Sequence, residues 1–223
     1  MYLQLGTPKK LSDLKFSTLI ESVERRGTRI AVIDDEPFTR AAALRASGFD
    51  LIELGDIRSI ESVSSYSVII CDIRGVGATF ESKFEGAHVI SEIRKIFPDK
   101  YLIAFTGMTY DATYNDKLAK ADVSATKDID TEAWTQILEN GIREVTDPTR
   151  RWLRFRKHLL EKGIDLHDIF CLEQSFIKSI QKRNAKYLED SSSSGSWNNE
   201  IKDLITNFAA TAVAQLIQSS ISS

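Results

Sequence analysis

The chain contains 223 residues, of which 42% are hydrophobic and 27% charged, and its formal net charge at pH 7 is −3. This composition is that of a globular protein, and the length fits one large domain or one ordinary domain with a smaller module. No stretch is long, apolar and uncharged enough to span a bilayer, and residues 1–10 lack the apolar core of a secretory signal, so we expect a cytoplasmic protein. The two cysteines, Cys71 and Cys171, form no CxxC or Cys/His spacing, which argues against a disulfide framework and a zinc site.

Charge is divided unevenly along the chain. Residues 1–145 carry 18 basic against 23 acidic side chains, and residues 146–223 carry 11 against 9. Neither part has the strong basic excess that is typical of a nucleic-acid-binding domain. We therefore do not expect nucleic acid as a partner.

The first two thirds of the chain alternate between strand-like and helix-like segments. A short leading helix is predicted over residues 11–26, with Ser12 as its N-cap and Gly27 as its stop. Alternation of strands and helices implies right-handed crossovers and hence a five-stranded, doubly wound parallel sheet. The predicted strands are 29–34, 49–54, 67–72, 101–105 and 122–126, and the predicted helices are 36–47, 86–97, 109–120 and 130–145, with 56–66 ambiguous.

A helical module is predicted to begin at the boundary 146–148, where Asp147 can cap a helix whose first residue is Pro148. Its first helix has a stripe of Trp152, Phe155 and Leu159 and ends at Gly163, and a second helix is predicted from 165 to about 188. Residues 191–195 are predicted to be a flexible linker or loop. The third helix, 199–218, has the clearest apolar stripe, formed by Ile201, Leu204, Ile205, Phe208, Ala212, Leu216 and Ile217. The predicted division is therefore 1–28, an N-terminal helical extension; 29–145, the α/β domain; and 146–223, the helical module.

Polar and charged side chains follow four of the five predicted strands. The first strand ends in Asp34 and Asp35, the third in Asp72, the fourth in Thr106, and the fifth in Lys127. Because the carboxyl ends of parallel strands meet at one edge of the sheet, we expect these side chains to converge there. Clustered carboxylates repel one another unless a cation offsets their charge, and Mg²⁺ is the divalent ion that such oxygen ligands favour. Each residue alone has an ordinary explanation as a turn former, cap or solvated charge, but the joint occurrence indicates a site.

In order and approximate spacing, these residues are similar to the receiver domain of two-component response regulators, and the resemblance covers residues 29–145. It implies a phosphorelay protein in which Asp72 accepts a phosphoryl group from a histidine kinase or a histidine phosphotransfer protein. The remaining roles implied by the resemblance are Mg²⁺ binding by Asp34, Asp35, Asp72 and the Arg74 backbone carbonyl, a switching hydroxyl at Thr106, and a charge partner at Lys127. Such a protein takes part in its own phosphoryl transfer and is not an independent enzyme.

The sequence departs from the receiver pattern in three places. Asp128 follows the lysine where the family has proline, and Ser124 occupies the position of the aromatic residue in the last strand. The loop 73–86 is longer than the family's, and it could be a lid, a partner surface or an insertion without function.

Two alternatives therefore stand beside the phosphorylated switch. One is a receiver-shaped binding module that needs no phosphorylation, and the other is a haloacid-dehalogenase-like phosphohydrolase, which places its nucleophile after the first strand with a second Asp two positions later.

The helical module carries no helix-turn-helix, zinc or heptad pattern. Its basic cluster, Arg150, Arg151, Arg154, Arg156 and Lys157, fits a solvated helix face better than a phosphate-binding surface. A phosphotransfer role for His158 is a weak prediction beside that of a surface histidine. The apolar stripe of 199–218 must be buried, either within the protein or in a homodimer or a complex with a partner protein.

Overall fold

The structure is a computed structural model, and it describes residues 7–14, 25–107, 115–195 and 197–219. The chain divides into two compact units. Residues 19–147 form one, here called the sheet unit, and residues 1–18 together with 148–223 form the other, the helical unit. In the described part of the chain, no helix combines the length and the hydrophobicity needed to cross a membrane.

The sheet unit is built on five parallel strands in the order β2-β1-β3-β4-β5. The first crossover runs from β1 to the edge strand β2, and the later strands β3, β4 and β5 follow one another on the other side of β1. The sheet is therefore doubly wound, as predicted from the sequence. Every predicted strand is present, with bounds that differ by one or two residues. The strands are β1 Arg29–Ile33, β2 Asp50–Glu53, β3 Val68–Asp72, β4 Tyr101–Thr106 and β5 Val123–Thr126.

Four described helices accompany the sheet: α1 Ala41–Ala46, α2 Glu85–Ile96, α3 Asn115–Leu118 and α4 Thr131–Thr146. The prediction of a helix over 36–47 is wrong in its first half. The amide of Glu36 donates to Asp34 Oδ1 at 3.0 Å and the amide of Phe38 donates to Glu53 Oε1 at 2.9 Å, so side chains outside the helix satisfy these donors. The ambiguous stretch 56–66 contains a short 3₁₀ turn over Ile60–Val63. The first half of the predicted helix 109–120, residues 109–114, lies outside the described residues, and α3 lies within its second half.

Apolar side chains alternate between two cores, one on each face of the sheet. Ile30 and Val32 of β1 pack in the core that includes Leu44 of α1 and Leu138 of α4. Ala31 and Ile33 pack on the opposite face with side chains of α2. Because both faces are covered, each central strand is a continuous apolar run, and this is why the strands are easily recognised in the sequence.

The helical unit differs from its prediction in the second helix. The predicted helix 165–188 is two helices, because Arg183 adopts a positive φ of 51° and the Asn184 side chain accepts the amide hydrogen of Lys186 at 3.0 Å. The helices of this unit are α5 Pro148–Glu161, α6 Leu166–Gln181, α7 Lys186–Ser194, α8 Asn199–Phe208 and α9 Ala214–Ser219, with a π-helical turn Ala209–Val213 joining the last two.

The serine run is helical, so the prediction of a linker at 191–195 is wrong. Residues 191–194 form the end of α7. The Ser191 hydroxyl lies 2.9 Å from the carbonyl oxygen of Tyr187 and 2.7 Å from the hydroxyl of Ser175 in α6, and the Ser192 hydroxyl lies 2.6 Å from the carbonyl oxygen of Glu189. Hydrogen bonds to the preceding turn and to a neighbouring helix satisfy these hydroxyls, and the fully buried Leu188 anchors the helix.

The apolar stripe of the last predicted helix is buried inside the helical unit. Its residues share a core with Trp152, Phe155 and Phe176, and the ring of Phe208 stacks on that of Phe155 at a centroid distance of 3.9 Å. Packing within the C-terminal module therefore accounts for the stripe.

The basic cluster of α5 is only partly solvated, since Arg151 is 1% exposed and donates to Gln215 at 2.9 Å. His158 is mostly buried rather than a surface histidine, because its side chain is 11% exposed.

The described N-terminal residues belong to the helical unit. The amide of Lys9 donates to Gln174 Oε1 at 2.8 Å, and Gln174 Nε2 donates back to the carbonyl of Lys9 at 2.9 Å. The predicted helix 11–26 starts as a single 3₁₀ turn, Leu11–Asp13, and Leu14 leaves the helical region at ψ 79°. Residues 15–24 of that prediction lie outside the described part, and 25–27 form a turn.

Candidate functional site

The residues predicted from the strand ends meet at one edge of the sheet. Asp34 directly follows β1 and Asp72 is the last residue of β3, and carboxylate oxygens of Asp34, Asp35 and Asp72 all lie within 4.8 Å of one another. Asp34 and Asp72 are buried, whereas Asp35 is exposed. Thr106 ends β4, the strand beside β3, and is half-buried. The chain thus brings three carboxylates together at the place expected for them.

Lys127 supplies the positive charge of the site. Its Nζ lies 2.5 Å from Asp72 Oδ2 and 3.9 Å from Asp34 Oδ2. The backbone amide of Lys127 donates to the carbonyl oxygen of Thr106 at 3.0 Å, which fixes the start of the side chain beside β4. The ammonium group is therefore bonded to one carboxylate of the cluster and near a second.

Burial, hydrogen bonds and neighbouring charges shift the pKa values of Asp34 and Lys127. Burial raises the pKa of Asp34, the hydrogen bond from the Glu36 amide opposes this, and the negative charge of Asp72 raises it further. For Lys127, burial lowers the pKa, but the hydrogen bond to Asp72 and the charges of Asp72 and Asp34 outweigh burial, so the pKa is raised. Lys127 faces Asp72 and Asp34, and a bound cation would offset the remaining repulsion among the three carboxylates.

The donor set fits a small hard cation. Three carboxylates offer oxygen ligands of the kind that Mg²⁺ prefers, and Asp35 and Asp72 approach from different segments of the chain. Two glycines leave room around the site. A Cβ at Gly75, which has a positive φ of 78°, would overlap the Asp35 carboxylate, and one at Gly86 would overlap the backbone carbonyl oxygen of Asp72 at the end of β3.

The long loop after β3 is anchored beside the cluster by two carboxylates that sequence reasoning missed. Asp56 Oδ1 accepts the amide hydrogen of Gly77 at 2.6 Å, and its Oδ2 accepts that of Ala78 at 3.3 Å. Glu85 Oε2 accepts the amide hydrogen of Gly75 at 3.1 Å. The only signal for Asp56 in the sequence is its position just after the second strand, and nothing in the sequence pairs it with a loop 21 residues away.

The loop also orients the phosphoacceptor candidate. The amide of Arg74 donates to Asp72 Oδ1 at 3.2 Å, while Lys127 binds the other carboxylate oxygen. Each carboxylate oxygen of Asp72 thus accepts a hydrogen bond, one from the Arg74 amide and the other from Lys127. The Arg74 side chain lies 3.6 Å from Glu85 Oε1, and its backbone carbonyl remains a predicted metal ligand.

Neither a family model nor a curated protein matches the sequence. Several solved structures are similar to about half of the chain. A response regulator receiver domain protein from Methanospirillum hungatei is 16% identical with a TM-score of 0.42, and the match covers 52% of this chain and 94% of that one. The receiver domain of NtrX from Brucella abortus is 20% identical with a TM-score of 0.43, covering 51% and 98%. The chemotaxis protein CheY4 from Vibrio cholerae is 16% identical with a TM-score of 0.43, again covering 51% and 98%.

Receiver domains, the family that the sequence resembles, are thus among the structures similar to half of this chain. The strand order, the parallel pairing and the two covered faces of the sheet define the fold from the molecule itself. The chemistry of the site depends on its own side chains.

Proposed function

We propose that the protein is a response-regulator-like signalling protein in which Asp72 accepts a phosphoryl group from a phosphohistidine of a histidine kinase or phosphotransfer protein. One observation supports this above all: the Lys127 ammonium group lies 2.5 Å from Asp72 Oδ2 at the rim of three clustered carboxylates. Nucleophile, cation ligands and charge partner, the groups that phosphoryl transfer needs, lie together. Asp34, Asp35, Asp72 and the Arg74 carbonyl would hold Mg²⁺.

In the proposed reaction, an oxygen of the Asp72 carboxylate attacks the phosphorus. The new P–O bond forms as the bond from phosphorus to the imidazole nitrogen breaks, and the bonding electron pair leaves with the imidazole. Bound Mg²⁺ would supply electrostatic stabilisation of the charge on the peripheral phosphoryl oxygens. Lys127 contributes a second positive charge, and the Arg74 amide holds the carboxylate in one orientation before attack.

The geometry favours Asp72 over Asp34 as the nucleophile. Lys127 is bonded to Asp72 at 2.5 Å and lies 3.9 Å from Asp34. The Asp34 Oδ1 atom accepts the amide hydrogen of Glu36, and Glu36 stands where a phosphohydrolase of the haloacid dehalogenase type has its second aspartate. An amide two residues on also donates to Asp72 Oδ1, so the Lys127 distances and the glutamate at position 36 are what make the phosphohydrolase alternative the weaker one.

An acyl phosphate on Asp72 adds about two negative charges, which Lys127 and the hydroxyl of Thr106 follow by moving. In this proposal residues 29–145 are the phosphoacceptor domain, residues 146–223 the output and interaction module, and residues 1–28 an N-terminal extension. The output is contact with a protein partner rather than with nucleic acid.

The proposed function predicts uptake of a phosphoryl group that depends on Mg²⁺. The full chain incubated with a small-molecule phosphodonor such as acetyl phosphate gains the mass of one phosphoryl group when Mg²⁺ is present and much less when it is chelated, because the carboxylate cluster then repels the incoming phosphate. Intact-mass spectrometry measures the outcome. If the chain takes up no phosphoryl group from the donor in the presence of Mg²⁺, the result supports a phosphorylation-independent binding module instead.

The partner of the helical unit is expected to be a different protein rather than a second copy. The stripe that would have driven dimerisation is already buried with Trp152 and Phe208 in the core of the unit. Sedimentation of the full chain, with and without phosphodonor and Mg²⁺, is therefore expected to show a monomer in both conditions. A dimer that forms only on phosphorylation would contradict this expectation and make self-association the output.

A further inference from the structure

Phe105 links the Lys127 side chain to the core beneath the site. Phe105 is paired in register with Asp72 of β3 on one side and with Ala125 of β5 on the other. Neighbours in register on parallel strands point to the same face. Lys127 lies just beyond the end of β5, and its Nζ reaches Asp72 at the end of β3. The Lys127 side chain therefore crosses β4 on its way to Asp72, and the ring of Phe105 lies under this crossing.

The distances fit a cation held on an aromatic ring. Lys127 Nζ lies 4.9 Å from the centroid of the Phe105 ring and 2.5 Å from Asp72 Oδ2. The aliphatic part of Lys127 passes close to Gly107, where an added Cβ would lie 3.3 Å from Lys127 Cδ. The negative face of an aromatic ring attracts an ammonium group, so the ring and the carboxylate together define where the cation rests.

Phe105 is also one of three interlocked aromatic rings. Its centroid lies 5.6 Å from that of Trp134 in α4, and Phe38 lies 5.3 Å from Phe105 and 5.2 Å from Trp134, all in edge-to-face arrangements. Phe105 is 4% exposed and Trp134 is fully buried. Because packed cores rearrange between discrete states and do not deform freely, a shift of the Phe105 ring is expected to displace its neighbours, Trp134 among them.

We propose that Phe105 is a positioning residue of the site: its ring holds the Lys127 ammonium group against Asp72, and its contact with Trp134 transmits a displacement of Lys127 to α4. The last strand offers no aromatic residue for this task, since Ser124 is exposed and polar. Phe105, which precedes Thr106 in the neighbouring strand β4, takes this role instead. The second half of this inference rests on the proposed phosphorylation of Asp72, and the first half does not.

The first experiment tests the positioning in the resting protein. In lysine-labelled full chain, with the Lys127 signal assigned through Lys127→Met, the methylene protons of Lys127 are expected to resonate upfield because of the ring current of Phe105. The upfield position is expected to be lost in Phe105→Leu and retained in Phe105→Tyr, which keeps a ring, and in Phe38→Leu, which removes a different ring of the same trio. An unshifted Lys127 signal in the unsubstituted chain, or an upfield signal that survives Phe105→Leu, overturns the positioning role.

The second experiment tests transmission to α4. In fluorotryptophan-labelled full chain, with the Trp134 resonance assigned through Trp134→Phe, phosphodonor and Mg²⁺ are expected to displace that resonance. Phe105→Leu is expected to reduce the displacement about two- to fivefold while the intact mass still reports phosphorylation of Asp72. Phe105→Tyr and Phe38→Leu should keep most of the displacement.

A double-substitution cycle excludes a merely structural effect. If Phe105 acts through Lys127, Phe105→Leu causes no further loss in a Lys127→Met background, whereas two independent core defects would add. Full displacement of Trp134 in phosphorylated Phe105→Leu, or additive losses, overturns the transmission. Absence of phosphoryl uptake by the unsubstituted chain instead refutes the proposed function, and the resting-state signal of Lys127 then decides the positioning role by itself.

Discussion

Asp72→Asn is expected to abolish phosphoryl uptake from a small-molecule phosphodonor while leaving the fold intact. Asparagine keeps the size of the side chain and an oxygen that can accept hydrogen bonds, but its neutral amide is not a nucleophile for phosphorus. The substitution also removes the charge that Lys127 faces at 2.5 Å. Since Lys127 is partly exposed, its ammonium group finds water in the variant, and the effect on stability should be small beside the loss of chemistry.

The matched control is Asp99→Asn, because Asp99 is also a buried aspartate of the sheet unit and lies outside the carboxylate cluster. Intact-mass spectrometry is expected to show the phosphoryl adduct in this control and in the unsubstituted chain, and none in Asp72→Asn. An adduct of undiminished yield on Asp72→Asn would place the nucleophile elsewhere, and peptide mapping of that adduct to Asp34 would revive the phosphohydrolase alternative.

The strands and the acidic edge of the sheet were predictable from the sequence because their signals are local. Each buried parallel strand is an uninterrupted apolar run, and the residue at which the run ends is fixed by the pattern itself. Topology then places the ends together, so Asp34, Asp72 and Lys127 were found without any knowledge of distances. Another local signal, an aspartate followed by a proline at the start of a helix, gave the break at Asp147 and Pro148, where α4 has ended and α5 begins.

Features that depend on contacts distant in sequence were not predictable. The serine run looks like a linker because serine has no apolar surface, yet Ser191 reaches Ser175 in another helix and Leu188 anchors the segment in the core. The anchoring of the long loop by Asp56 and the place of Phe105 under Lys127 depend on which chain segments are neighbours in space. A hydrophobic phenylalanine in a strand is indistinguishable from any other core residue until the register is known.

Phe208→Ala is expected to destabilise the helical unit by about 3–5 kcal/mol, the usual cost of removing a buried aromatic ring. Phe208 is 1% exposed and its ring contacts three other aromatic rings. The nearest is that of Phe155, stacked at a centroid distance of 3.9 Å, and the others belong to Trp152 and Phe176. Alanine leaves a cavity between α5, α6 and α8, and the surrounding side chains fill it only in part.

The control for this substitution is Phe170→Ala in the same unit, because Phe170 is 37% exposed. Exposed positions of this kind usually change stability by about 0.5 kcal/mol or less, so the two alanine variants separate burial from the loss of a phenylalanine as such. Hydrogen exchange of the full chain reports the change locally: amides of α5, α6 and α8 are expected to lose protection in Phe208→Ala and to keep it in Phe170→Ala. Equal losses in the two variants would show that the aromatic cluster does not hold these helices together, and the stripe of 199–218 would again need a partner outside the unit.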